Sequence, residues 1–250
     1  MKSANPVLTD NTFPGYGYIN VNQTDVMTMQ GVVVKTAILL LMTLLTAGWT
    51  WAQFYKSGGN TASITPWMMG GVFGGFILAM VTVFKPAWSA MTAPAYALLE
   101  GLFIGGLSAI MELSFPGIVI QATVLTFGTL FAMLAAYQSG LIRATENFKL
   151  GIVAATGGIA LVYIVTMVLS FFSIQVPYIY GNGLVGIGFS LFVVIIAALN
   201  FVLDFDLIEQ GAKRGAPKYM EWYAGFALMV TLIWLYIEFL RLLSKLRSRN

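Results

Sequence analysis

The chain reads as an all-α, polytopic membrane protein with seven transmembrane helices. Three observations lead there. The composition is 58% hydrophobic and only 9% charged, against roughly a quarter charged in a soluble domain. Seven apolar runs follow one another, each near the ~20 residues that cross a ~30 Å hydrocarbon core at a ~1.5 Å rise. The charged residues gather between these runs, and unevenly. Two regions result: a polar tail over residues 1–30, rich in Asn, Thr, Pro and Gly, and one seven-helix transmembrane domain over 31–250.

The first run, Thr36 to Tyr55, holds 20 uncharged residues between Lys35 and Lys56. It is too long for the apolar core of a signal peptide, so it is helix 1, with Trp49 and Trp51 near one interface. Helix 2 spans about Trp67 to Phe84, entered by Pro66 and ended by Lys85-Pro86. Helix 3, about Pro94 to Leu113, carries Glu100 within it. Ser114 to Gly117 turns the chain into helix 4, about Ile118 to Tyr137, and helix 5 runs from about Leu150 to Phe172. The stretch Gln175 to Gly183 is a link before helix 6. Helix 6 opens with 20 uncharged residues, Leu184 to Leu203, and then places Asp204, Asp206 and Glu209 on its last turns. The loop Gly211 to Lys218 leads to helix 7, about Trp222 to Leu240, which carries Glu238.

Basic residues orient a membrane chain because they stay in the cytoplasm. The tail and the loops on its side hold eight of them (Lys2, Lys35, Lys85, Arg143, Lys149, Lys213, Arg214 and Lys218), and the opposite loops hold Lys56 alone. This count puts the N-terminus in the cytoplasm of a cell (inner) membrane. Seven crossings then leave Arg241, Lys245, Arg247 and Arg249 outside, so an even count with one re-entrant segment is the alternative. Gly70, Gly71, Gly74 and Gly75 in helix 2, and Gly101 and Gly105 in helix 3, have the spacing that lets membrane helices approach closely. Packing within the bundle accounts for them better than a dimer face.

The chain has no cysteine and no histidine, which removes disulfides, thiolate sites and the usual near-neutral switch. No metalloprotease or nucleophile-elbow motif is present, so no enzyme activity, resident cofactor or nucleic-acid partner is expected. Function therefore falls to the acids. A carboxylate in the middle of a membrane helix costs about 2.5–3.5 kcal/mol on insertion scales. Asp204 is either a solvated acid at a helix end, with Asp206 and Glu209, or an interior acid that Asn200, one turn earlier, can hydrogen-bond. Glu238 has Arg241 three residues on, a spacing that makes an ordinary helix ion pair, yet its other neighbours are apolar. Glu100 lies among leucines and is either protonated or paired with a base such as Lys35 or Lys85.

The stretch Leu203 to Ile208 (LDFDLI) on helix 6, set beside Leu235 to Leu240 (LYIEFL) on helix 7, resembles the Bax inhibitor-1, or transmembrane Bax inhibitor motif, family. Tyr96 to Gly105 is similar to that family's helix 3, and Ser3 to Leu8 to the opening of a bacterial branch. The resemblance covers about residues 31–245. It implies six helices packed around a central C-terminal helix, and a pair of acids whose shared proton gates a calcium leak. The positions that match are Asp204 and Glu238, with Asp206 standing where the family often has Gln. Two touching carboxylates cannot both ionise cheaply and would titrate as a unit. The same oxygens would attract Ca²⁺, so Asp204 and Glu238 are also the expected calcium contacts, with Asn200, Asp206 and Glu100 in support. The expected function is a pH-sensitive calcium leak channel or transporter. The alternative, a regulatory partner of a membrane quality-control protease, would use the polar tail as its handle.

Overall fold

A computed structural model describes residues 26–172 and 181–249. Seven long helices follow in order: α1 (Met29–Lys56), α2 (Thr65–Phe84), α3 (Ser89–Ser114), α4 (Ile118–Gln138), α5 (Glu146–Phe171), α6 (Leu184–Lys213) and α7 (Met220–Ser248). All seven are long and apolar enough to cross a membrane, so the expected fold class holds. Most of the expected tail, residues 1–25, and most of the link before α6 lie outside the described residues.

The helices run further than their apolar stretches. Helix 1 starts at Met29, not Thr36, because Thr28 caps it by accepting a hydrogen bond from the Gly31 N–H. Lys35 therefore sits inside α1, its ammonium 4.7 Å from the centre of the Trp222 ring. Pro94 falls inside α3, which begins at Ser89. Helix 6 continues into the expected loop as far as Lys213, and α7 continues to Ser248, so Arg241, Lys245 and Arg247 are helical rather than part of a tail. Apolarity ends where the hydrocarbon ends, whereas backbone hydrogen bonding carries a helix on into the interface.

Contacts divide the chain into two compact units. The first contains residues 117–206 and everything from 231 on; the second contains 26–116 and 207–230, so α6 and α7 each contribute to both. In the first unit a core of Ile152 and Ile159 on α5 with Val193, Ile196 and Leu203 on α6 is flanked by Tyr163, Phe189 and Trp234. In the second unit α3 packs on α1 and α2 through glycines. A Cβ on Gly105 would lie 2.3 Å from the Ala47 carbonyl oxygen, and one on Gly71 would lie 2.6 Å from that of Leu99. Gly70, by contrast, faces open space.

The second unit also ties down the start of the described chain. Val26 bridges Pro217, and the Met27 N–H donates to the Ala216 carbonyl at 2.7 Å. Glu221 is buried and accepts from both the Thr28 N–H and the Thr28 hydroxyl, with the Lys218 ammonium at 2.9 Å. The expected boundary at residue 30 thus falls within α1, and residues 26–28 are anchored.

Helices α6 and α7 are the most buried, with 56% and 67% of their apolar windows covered, against 17% for α1, α2, α4 and α5. Charge placed on α6 or α7 is therefore shielded from lipid by other protein atoms. The final helix is the most enclosed of the seven.

Candidate functional site

Every turn of α6 up to Leu203 is apolar save Ser190 and Asn200. Asn200 turns its amide toward α5, donating to the Thr156 hydroxyl at 3.0 Å and to the Ile196 carbonyl at 2.8 Å. It does not supply Asp204, as its spacing had allowed.

Asp204 has no exposed surface at all. Its Oδ2 accepts a 2.7 Å hydrogen bond from the Thr231 hydroxyl on α7. A buried carboxylate needs such donors, because leaving one without them costs several kcal/mol. Asp206 points elsewhere. Its Oδ2 lies 2.8 Å from the Lys149 ammonium on α5; the Lys149 side chain is nearly covered and also reaches exposed Glu146 at 3.5 Å. Residues two apart on a helix face different sides, so α6 uses one acid to hold α7 and the other to hold α5. Glu209 makes a surface pair with Lys213.

Glu238 has a different setting. It is 1% exposed, and the Arg241 Nη1 meets its two oxygens at 2.8 and 3.0 Å. The Tyr163 hydroxyl on α5 donates to Oε1 at 2.9 Å, and Trp234 adds a further hydrogen bond. The Arg241 guanidinium also lies over the Tyr163 ring, 4.9 Å from its centre, and bonds to its hydroxyl. One turn further on, buried Lys245 donates to the Gly186 carbonyl at 3.0 Å and to the Ser190 hydroxyl at 2.9 Å. Glu238 lies about two turns beyond Thr231, or about 10 Å along α7. The Thr231 hydroxyl on Asp204 and the Arg241, Tyr163 and Trp234 donors on Glu238 all belong to the first unit.

Glu100 lies in the second unit, hydrogen-bonded by Tyr96 one turn earlier. Its carboxylate faces Gly75 on α2. Among the described residues no base forms an ion pair with it; Lys35 covers Trp222 and Lys85 covers Trp88.

Sequence reasoning missed Thr231, Tyr163 and the structural role of Lys149. Thr231 had a visible signal, being the one hydroxyl in an otherwise apolar run from Tyr223's successor to Trp234. Lys149 had a weaker one, since it lies one turn into α5 rather than before it. Among the described residues no three Asp, Glu, His or Cys side chains converge as a resident metal site requires.

Seven spans with charge buried on the last two define an α-helical integral membrane protein built around a polar network within its helices. A family model described as "Bax inhibitor 1 like" matches residues 5–248, nearly the whole chain, and the protein belongs to that family. No curated protein and no solved structure matches it.

Proposed function

We propose that this protein is a proton-sensitive cation leak of a bacterial cytoplasmic membrane, with calcium as the cargo and the N-terminus in the cytoplasm. The observation that carries this reading is Asp204, a fully buried carboxylate on a membrane helix, held by Thr231 on the next. Nothing in the reading calls for catalysis, and the cation is a passing substrate rather than a resident metal.

An ionised carboxylate in dry surroundings is costly and draws water and counter-ions toward itself, whereas its protonated form does neither. Proton loss at Asp204 therefore favours a hydrated pathway that attracts cations, and proton uptake favours the closed, dry state. Carboxylate oxygen is the donor that a hard divalent cation prefers. Glu238, whose charge is met by Arg241, Tyr163 and Trp234, serves to hold α5 against α7, and the titrating member is Asp204.

Purified protein in liposomes, with entrapped calcium indicator and pH stepped outside and in, tests this directly. Wild type should show calcium entry that varies with pH. Asp204→Asn keeps the shape and a hydrogen bond to Thr231 but removes the ionisable site, so the flux should lose its pH dependence. Glu238→Gln should retain it. A flat profile for Glu238→Gln with an unchanged one for Asp204→Asn would move the gate to the other acid, and a wild type that passes no cation at either pH would end the reading.

A further inference from the structure

We propose that the turn joining α1 to α2 binds the headgroup of an anionic glycerophospholipid of the phosphatidylglycerol class, with its phosphate on Lys56 and its glycerol hydroxyls on Ser57 and Ser63. The turn shapes a pocket of about 370 Å³ lined by Gln53, Lys56, Ser57, Ser63 and Trp67. Its walls are held in place. Gly58 and Gly59, at φ 70° and 81°, reverse the chain directly after α1, a backbone conformation that residues with a Cβ rarely take. Asn60 caps the short 3-10 turn that follows by accepting from the Ala62 N–H. Beneath, Phe54 on α1, Ile64 before α2 and Ala109 on α3 form a small buried core.

The lining offers a definite set of polar atoms. The Ser57 and Ser63 hydroxyls lie 2.8 Å apart. Each has a carbonyl at 2.7 Å to receive its one proton, that of Phe54 for Ser57 and that of Asn60 for Ser63. What they present to a ligand is therefore oxygen lone pairs, which call for donors. The Lys56 ammonium supplies donors only, and the Gln53 amide supplies both kinds. Neither side chain has a hydrogen-bond or ion-pair partner among the described residues. With one cation and no acid in the lining, the complementary ligand carries a negative charge together with hydroxyl donors. A phosphodiester that bears glycerol has both.

Two observations make the source a lipid rather than a dissolved ester. Trp67 meets Trp49 edge-on at 4.9 Å, and the two are 48% and 41% exposed; tryptophan favours the headgroup level of a membrane. One turn deeper on α2, a Cβ on Gly70 would meet nothing within 4 Å, and one turn deeper on α1, Leu45 is exposed. An open apolar surface thus continues from the pocket along both helices, where an acyl chain can lie.

Native mass spectrometry of the purified protein in detergent, with lipid titrated in, reads the binding without reference to calcium flux. Wild type should retain phosphatidylglycerol and release phosphatidylcholine of the same chains, whose headgroup has no N–H or O–H to give. Lys56 is exposed, so its variants should fold. Lys56→Gln should weaken phosphatidylglycerol binding about fivefold, the usual weight of one basic residue at an anionic membrane surface, and Lys56→Arg should retain most of it. Lys213→Gln, which removes an equal charge from the end of α6, should change nothing. Gly70→Leu fills the apolar surface below Trp67 without touching charge and should also weaken binding. Equal retention of the two lipids, an unchanged Lys56→Gln, or an equal loss in Lys213→Gln would overturn the inference. Displacement of the lipid by glycerol 3-phosphate at equal concentration, or an unchanged Gly70→Leu, would overturn the lipid as the occupant.

Discussion

The two ends of the first unit bury opposite charges, and they do so with different chemistry. At one end Asp204 and Asp206 are met by donors, the Thr231 hydroxyl and the Lys149 ammonium. At the other, buried Lys245 is met by acceptors, the Gly186 carbonyl and the Ser190 hydroxyl, while Arg247 donates to the Gln121 side-chain carbonyl near the surface. Between Lys245 and the middle of α7 lies the Glu238–Arg241–Tyr163 group, where acid and base neutralise each other. The difference shows that helix length and apolarity do not decide which sign of charge a membrane helix can carry. What decides it is the set of polar atoms that neighbouring helices bring to the same level. Asp204 accepts from a hydroxyl, whereas Arg241, with its many donors, meets a carboxylate and a phenol.

Three substitutions sharpen or break this contrast. The largest effect is expected at the self-neutralised group. Arg241→Met leaves buried Glu238 with the neutral donors Tyr163 and Trp234 and only the charge of Lys245 nearby, and breaking a buried pair from one side costs about 3–5 kcal/mol. Thermal unfolding in detergent should show it; a loss below about 1 kcal/mol would mean that Glu238 needs no counter-charge and that the two ends are alike. Thr231→Val comes next. It preserves shape while taking away the hydroxyl that Asp204 accepts from, and a lost hydrogen bond to a buried charged group is worth about 1.5–3 kcal/mol. The same melting experiment reads stability, and the flux assay should show a displaced pH response where Arg241→Met shows none. An unaltered pH response in Thr231→Val would separate the Thr231 contact from gating. Smallest is Glu146→Gln. Glu146 is largely exposed and reaches Lys149 only at 3.5 Å, so the loss should stay below about 0.5 kcal/mol. A larger loss would show that Lys149 is held by both acids rather than by Asp206.

Much of the architecture was legible before any coordinates, and the part that was not has a definite physical origin. Seven spans could be counted because a bilayer demands a long apolar run from each crossing helix, and such runs are local features of a chain. The close approach of α3 to α1 and α2 was legible for a similar reason, as Gly71 and Gly105 are needed where backbones touch. Asp204 and Glu238 could be singled out as costly acids by their flanks alone. Of their partners only Arg241 could be, from its place three residues after Glu238. Thr231 lies 27 residues from Asp204, Tyr163 lies 75 from Glu238, and Thr28 lies 193 from Glu221. A helix that is apolar nearly all round carries little record of which face meets which neighbour, so rotation and register are set by packing. The sequence by itself determined the spans, the membrane and the acids that had to be shielded. Only the tertiary structure decided that Asp204 meets a threonine of α7, Asp206 a lysine of α5 and Glu238 a tyrosine of α5, because those meetings depend on how whole helices turn against one another.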